Sequence, residues 1–120
     1  MEVGKMVRKS DEQAVEFKCI RNGIGETRMQ KLLNGADEMY GKGRMFNLMT
    51  VEPGNSIGTH THTGDNEIFC FLSGTGEYND NGTTVTVCPG DVAVCSDGET
   101  HGLVNNGKEP LVFIALILYS

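Results

Sequence analysis

The chain has 120 residues, 16 glycines, no tryptophan and a formal net charge of −6. This length predicts a single domain over residues 1–120, and the many glycines favour short strands joined by tight turns over long helices. Because the chain is acidic and its basic residues do not cluster, the composition argues against a nucleic-acid or anionic-membrane partner.

The first 43 residues predict two N-terminal strands. Alternation over residues 14–18 indicates a strand whose dry face carries Val15 and Phe17, with Cys19 as a further candidate. Asn22-Gly23 predicts a turn, and residues 27–33 predict a second strand that ends at Asn34-Gly35. Residues 36–43 are interpreted as a polar loop or a single helical turn.

The stretch Arg44–Val51 predicts a strand that is apolar on both faces. One face carries Met45, Asn47, Met49 and Val51, and the other carries Phe46, Leu48 and Thr50. We therefore expect this strand to lie between two dry surfaces.

Short strands separated by turns continue to the end of the chain. Asn81-Gly82 is a strong signal for a two-residue hairpin, and Pro89-Gly90 and Asp97-Gly98 predict further turns. Eight or more strands at a spacing of about ten residues, with almost no helical pattern, predict an all-β sandwich or barrel.

The last predicted strand, Leu111 to Tyr119, is apolar on both faces. In a chain of this size, a strand that is dry on both sides suggests that one face meets a second subunit, which predicts a homodimer. Ordinary burial between two sheets of one chain is the alternative. Its apolar run is too short to cross a bilayer, so no membrane partner is expected.

The histidines form a pattern that indicates a metal site. His60 and His62 are two residues apart, so in a strand they share one face, and Glu67 can return to that face on the next strand. His101 is the third and last histidine of the chain. If it joins them, three imidazoles and one carboxylate form a ligand set for a divalent transition metal.

The four cysteines, Cys19, Cys70, Cys88 and Cys95, include no C-x-x-C pair, which excludes zinc-ribbon and thioredoxin-like sites. We interpret all four as small buried hydrophobic residues. Residues 1–6 lack the apolar core of a signal peptide, so a cytoplasmic location with reduced thiols is expected.

Two spaced motifs resemble those of the cupin superfamily, in particular its small single-domain bacterial members. Gly54-x5-His60-x-His62-x4-Glu67-x6-Gly74 matches the first cupin motif without a departure. Gly90-x5-Ser96-x-Gly98-x2-His101-x3-Asn105 matches the second, with serine at Ser96 where the family usually has proline. The motifs cover residues 54–105, whereas the N-terminal strands in residues 1–43 are only generically similar.

The resemblance implies a double-stranded β-helix, or jelly-roll barrel, that is usually dimeric and holds a metal near one mouth. His60, His62, Glu67 and His101 correspond to the metal ligands of the family, and the motif glycines correspond to its turns. Asn105 is expected to hold a turn and not to contact the metal. Serine at Ser96 is expected to loosen one turn without affecting a ligand.

Such a site favours two functions that the sequence leaves open. Four protein ligands on a six-coordinate ion leave two adjacent positions, and this ligand set suits Mn, Fe, Co, Ni, Cu or Zn. The protein could be a metal-dependent decarboxylase or dioxygenase acting on a small carboxylate such as oxalate, a diketone or a phenolic compound. It could instead be a non-catalytic protein that binds a small molecule or a sugar at the metal.

No catalytic acid or base is identified, because Glu67 is expected on the metal and no second carboxylate lies clearly on an inward face. The expected wall of the substrate pocket comprises Asn47, Met49, Phe69, Phe71 and Leu103. Asn47 is the strongest candidate for a ligand contact, because it is polar within an apolar strand.

Overall fold

The computed structural model describes residues 6–120. Residues 1–5 lie outside this part. The N-terminal end of the predicted domain therefore lies outside the described residues. The same holds for most of residues 1–6, which predict the lack of a signal peptide. Within residues 6–120, no helix is long and apolar enough to cross a membrane.

The described residues form ten strands and two short 3-10 turns. The strands are β1 (Val15–Lys18), β2 (Thr27–Leu33), β3 (Gly43–Val51), β4 (Ser56–Thr61), β5 (Asp65–Ser73), β6 (Gly76–Asp80), β7 (Thr83–Val87), β8 (Val92–Cys95), β9 (Thr100–Val104) and β10 (Leu111–Tyr119). The 3-10 turns are Ser10–Glu12 and Ala36–Met39, and the second decides between the two alternatives for residues 36–43 in favour of a single helical turn.

The strands form two antiparallel sheets that enclose the core. One sheet has six strands in the order β1-β2-β3-β10-β5-β8, and the other has four in the order β4-β9-β6-β7. Inward-facing residues of both sheets form one hydrophobic cluster. This arrangement confirms the predicted all-β, double-stranded β-helix fold.

An aromatic group occupies the centre of the core. Phe113 on β10 is fully buried, and its ring centroid lies 4.6 Å from that of Phe69 and 5.4 Å from that of Phe71, both on β5. The register of β10 against β5 pairs Phe113 with Phe71, and it pairs the small Ala115 with the large Phe69. Because alternate residues of these strands face inward, one side of β5 supplies both the core aromatics and Glu67.

The predicted hairpin at Asn81-Gly82 is confirmed. β6 pairs with β7 from Gly76↔Val87 to Asp80↔Thr83, and both turn residues have positive φ, at 51° and 95°. These angles match the type I′ turn that the Asn-Gly pair favours.

The prediction of a dry face on the first strand is wrong. β1 is exposed along its whole length, and Phe17 is 61% exposed. The reason is the position of β1, which is an edge strand that pairs only with β2 and has no second sheet over it.

The prediction that all four cysteines are buried is also wrong. Cys95 is buried and Cys70 is partly buried, but Cys19 and Cys88 are exposed. Cys19 follows the exposed edge strand, and Cys88 lies in the turn between β7 and β8, where the backbone leaves the core. All four thiols are free.

The glycines of the two motifs are turn residues, as the resemblance implies. Gly54, Gly74, Gly90 and Gly98 all have φ between 80° and 95°. Ser96 replaces the expected proline at little disadvantage, because its N–H donates to the Glu99 carboxylate at 2.8 Å, a bond that proline could not make. Asn105 is fully buried and holds a turn, as predicted, by donating to the carbonyls of Val51 and Glu109.

Gly74→Ala is expected to destabilise the protein strongly. Gly74 has φ +80°, and a Cβ atom there would overlap the backbone carbonyl of Pro110, which cannot move aside as a side chain can. We expect a loss of about 2 kcal/mol or more of unfolding free energy, measured by urea denaturation. Gly35→Ala is the matched control, because Gly35 has extended backbone and open space around it. Equal stability of the two variants would contradict the prediction.

Candidate metal centre

Three strands and one loop bring the predicted donors together between the two sheets. His60 on β4 is paired directly with His101 on β9, and His62 follows one residue after the end of β4. Glu67 lies on β5 of the opposite sheet. The four side chains form one cluster whose potential ligand atoms all lie within 4.8 Å of one another.

The distances within the cluster suit a single ion. The His101 Nε2 atom lies 3.1 Å from His60 Nε2, 3.2 Å from His62 Nε2 and 3.1 Å from Glu67 Oε1. His62 Nε2 lies 3.1 Å from Glu67 Oε1, whereas His60 Nε2 lies 4.0 Å from it.

An octahedral ion with metal–ligand distances near 2.1 Å places adjacent donors about 3.0 Å apart and opposite donors about 4.2 Å apart. Of these five distances, four are close to the value for adjacent donors and one is close to that for opposite donors, and the cluster is able to hold a metal. The donor set of three nitrogens and one oxygen fits a divalent transition ion.

Each imidazole is oriented by a partner on its other nitrogen. Nδ1 of His62 lies 2.7 Å from Asp65 Oδ1, Nδ1 of His60 lies 2.7 Å from the carbonyl of Gly58, and Nδ1 of His101 lies 2.8 Å from the Tyr78 hydroxyl. When these nitrogens carry the proton, all three Nε2 lone pairs point into the cluster. Such partners fix the tautomer and raise the basicity of the ligand nitrogen.

Burial and neighbouring groups shift the pKa values of the cluster residues in different directions. Hydrogen bonds to Glu67 and Asp65 raise the pKa of His62 despite burial. Burial opposes ionisation of Glu67, but hydrogen bonds from His101 and His62 outweigh it and lower the pKa of this carboxyl group. The pKa of His60 is lowered, chiefly by burial. Because a metal binds the deprotonated imidazole nitrogen, metal binding through His62 would compete with its protonation.

The prediction that no second carboxylate lies clearly on an inward face is wrong, because Asp65 is such a residue. Asp65 is 7% exposed, and besides its contact with His62 it accepts a hydrogen bond from Arg44 Nε at 3.0 Å. These two partners outweigh the effect of burial and lower the pKa of Asp65. A usable signal was present, because Asp65 and Glu67 are two residues apart and so share a strand face.

Tyr78 was missed as well. It is buried on β6, its hydroxyl contacts His101, and burial raises its pKa, so it remains protonated at physiological pH. The Phe69 ring stacks on the His101 ring, at a centroid distance of 5.1 Å and an interplanar angle of 29°. His101 is therefore held by two aromatic residues.

A cavity of about 340 Å³ opens onto the cluster. Of the predicted pocket residues, Met49 and Phe69 line it, whereas Asn47, Phe71 and Leu103 are buried in the core and are not among its lining residues. Three basic residues also line the cavity, namely Lys18, Arg21 and Arg44. None of these three residues is predicted from the sequence to lie at the site.

Asp65→Asn is expected to weaken metal binding roughly 10- to 100-fold, because the carboxylate that orients His62 and raises its basicity is lost. Competition with a metallochromic chelator measures the change. Arg44→Gln is the matched control, since it removes the ion pair with Asp65 but leaves the contact between Asp65 and His62. An affinity that is unchanged in Asp65→Asn would contradict the orienting role.

Comparison with known proteins identifies similar sequences and structures. The family model described as "Cupin domain" matches residues 47–117. An oxalate-binding protein of Thermotoga maritima is 38% identical over 115 residues, which are 96% of this chain and 94% of the relative.

Two solved structures extend the comparison. The crystal structure of a predicted oxalate decarboxylase from Thermotoga maritima is 39% identical, with a TM-score of 0.90, and the match covers 96% of this chain and 100% of that one. A protein with a double-stranded β-helix domain from Klebsiella pneumoniae is 29% identical, with a TM-score of 0.60, and the match covers 62% of this chain and 66% of that one.

Proposed function

This chain belongs to the cupin domain family, and we propose that it binds a divalent transition metal through its three histidines and Glu67 and holds oxalate or a similar small dicarboxylate on that metal. In this proposal residues 1–120 act as one domain. The names "oxalate-binding protein" and "predicted oxalate decarboxylase" of the Thermotoga maritima sequence and structure support oxalate as the first ligand to test.

The observation that carries this proposal is the combination of the donor cluster with a basic cavity. With His60 and Glu67 as the opposite pair, the two remaining positions of an octahedral ion would be adjacent, which suits a ligand that offers two oxygens. A divalent ion supplies Lewis acidity and attracts anionic oxygens. The basic side chains in the cavity wall favour a negatively charged ligand.

Calorimetric titration of the metal-loaded protein with oxalate tests this function. We expect one oxalate per chain and no binding after the metal is removed with a chelator. Acetate is the control. It has only one carboxylate, so it occupies the two remaining coordination positions of the metal less well than oxalate does. Oxalate that binds equally well to the metal-free protein, or that fails to bind the metal-loaded protein, would refute the proposal.

Enzymatic turnover of the bound carboxylate is a second candidate function, and the position of Lys18 favours this function. Loss of CO2 from hydrogen oxalate breaks the C–C bond, and formate results when the carbon receives a proton, so a decarboxylase needs an acid near the substrate. Glu67 belongs to the donor cluster, whereas Lys18, which lines the cavity, lies outside that cluster. Formate production by the wild type that is lost in Lys18→Met would support an enzyme, whereas tight binding without formate would support a binding protein.

A homodimer is proposed on the outward face of the six-stranded sheet. The registers of β3, β10, β5 and β8 place apolar side chains in two continuous rows across four strands. These rows are Phe46-Leu116-Ile68-Val94 and Leu48-Ile114-Cys70-Val92. An exposed apolar face can pack against the same face of a second copy about a two-fold axis, as in a symmetric dimer.

Light scattering tests the dimer. We expect about twice the chain mass of 13.0 kDa for the wild type and a monomer for Ile114→Glu, which places a charge in the middle of one row. Thr84→Glu on the four-stranded sheet is the control and should remain dimeric. A monomeric wild type at micromolar concentration would refute this assembly.

We further propose a cytoplasmic location, which suits the exposed free thiols of Cys19 and Cys88.

A further inference from the structure

The turn that presents Arg21 has an unusual sequence for its conformation. The N–H of Gly23 donates to the carbonyl of Ile20 at 3.0 Å, and the two central residues, Arg21 and Asn22, have φ of 53° and 59°. This is a type I′ turn, whose central positions favour glycine, asparagine and aspartate. Asn22 fits this preference, but a long side chain such as that of Arg21 is disfavoured at positive φ.

The turn is held directly against β4, the strand that carries His60. The carbonyl of Ile20 accepts a hydrogen bond from Gly58 N at 3.1 Å, and the carbonyl of Ile24 accepts one from Ser56 N at 2.9 Å. The turn can approach β4 this closely because Gly58 has no side chain. A Cβ atom at Gly58 would overlap the carbonyl of Arg21. The position of Arg21 relative to the donor cluster is therefore set by backbone contacts.

Arg21 lines the cavity, and no partner of its side chain lies among the described residues. Among residues 6–120, its guanidinium group makes no hydrogen bond or ion pair, whereas the guanidinium of Arg44 is paired with Asp65. Guanidinium groups bind carboxylates in a planar, two-point arrangement. An unpartnered guanidinium group beside a cavity is therefore suited to a carboxylate ligand.

The charge of the site indicates which carboxylates it prefers. A divalent ion on neutral histidines and the Glu67 carboxylate leaves a net charge of about +1, and Arg21 and Lys18 add to it. A dianion neutralises this charge more fully than a monoanion, and a dicarboxylate retains oxygens that the metal does not use. Those oxygens are available to Arg21.

We propose that Arg21 is the specificity-determining residue of this site, because the turn Ile20–Gly23 holds its guanidinium group where it binds the metal-free oxygens of a dicarboxylate and so selects dicarboxylates over monocarboxylates. This inference rests on the proposed function. It also explains why an arginine occupies a turn position that asparagine would fill with less strain.

Arg21→Asn tests the inference with three measurements. First, the affinity of the metal-loaded protein for oxalate is expected to fall on the order of 10- to 100-fold, which is typical when a charge-assisted hydrogen bond is lost. Second, the affinity for glycolate, a chelating monocarboxylate, should change much less. Third, the melting temperature of the metal-free protein should rise, because asparagine is favoured at positive φ.

Two further variants complete the design. Arg28→Gln removes one positive charge outside the cavity, where Arg28 donates to Gln30, and it should leave the preference for oxalate over glycolate unchanged. Arg21→Lys retains the charge and should restore part of the preference. A metal content that is equal in all variants would show that the donor cluster is intact.

The outcomes separate this inference from the proposed function. If the wild type does not bind oxalate, the proposed function is wrong. If the wild type binds oxalate but Arg21→Asn retains the preference over glycolate, or Arg28→Gln loses it equally, the role of Arg21 is overturned and the function stands. A lower melting temperature of metal-free Arg21→Asn would assign Arg21 to the fold and would also overturn the inference.

Discussion

His101→Ala is expected to abolish metal binding. His101 Nε2 lies 3.1–3.2 Å from a donor atom of each of the other three cluster residues, so its loss removes the central member of the set. Elemental analysis after dialysis should find close to one transition ion per wild-type chain and almost none in the variant. Because a bound ligand stabilises only the folded state, added metal should raise the melting temperature of the wild type but not that of the variant.

Thr61→Ala is the matched control for this experiment. Thr61 lies between His60 and His62 in the chain, but it is exposed and its hydroxyl contacts Thr100 on the neighbouring strand. We expect it to retain the metal. His60→Ala is a second test of the same cluster, and full metal content in both histidine variants would refute the assignment of the site.

Phe113→Ala is expected to cause the largest loss of stability. Its side chain is fully buried and packs against Phe69 and Phe71, so its removal leaves a cavity lined by aromatic rings. We expect the free energy of unfolding to fall by about 3–5 kcal/mol, a large part of the roughly 5–15 kcal/mol of a typical domain. Urea denaturation measures the change.

Leu72→Ala serves as the control for core packing. Leu72 lies on the same strand as Phe71, but its side chain is 47% exposed, so its truncation should cost about 1 kcal/mol or less. A similar loss in both variants would mean that the aromatic group is not the main source of stability. Phe69 links the aromatic core to the donor cluster, because its ring contacts both Phe113 and His101.

Period-two alternation predicts much of this fold and the convergence of the donors. It assigns Glu67, Phe69 and Phe71 correctly to one inward face, and the turn signals correctly separate the strands from residue 76 onwards. The spacing of His60 and His62 predicts their common direction even though His62 lies just beyond the end of β4. Local patterns are sufficient here because a strand face is a local property.

Partners from other strands could not be predicted in this way. The contact of Tyr78 with His101 depends on the register of β6 against β9, which pairs Asp80 with His101 and cannot be read from either strand alone. Alternation also does not indicate depth along the barrel. Phe71 shares the face of Phe69, but it lies two residues further from Glu67 and so packs in the core, outside the lining of the cavity.

The basic cavity residues were missed for a different reason. Lys18 and Arg21 come from the N-terminal segment, which carries no motif, and they reach the cavity only because the turn at Ile20–Gly23 packs on β4. That contact depends on Gly58, whose lack of a side chain matters only once the opposite backbone is known. The same limit applies to β1, whose exposure depends on its place at the sheet edge.

The three different acceptors on the imidazole Nδ1 atoms make the histidines unequal electron donors. A carboxylate, a backbone carbonyl and a phenol hold His62, His60 and His101, respectively, and the carboxylate transfers the most electron density to its ring. The ligand field of a bound ion would therefore be of low symmetry even though three donors are chemically the same. Substitution with Co(II) should give a rhombic paramagnetic spectrum, and Asp65→Asn should reduce the anisotropy more than Tyr78→Phe.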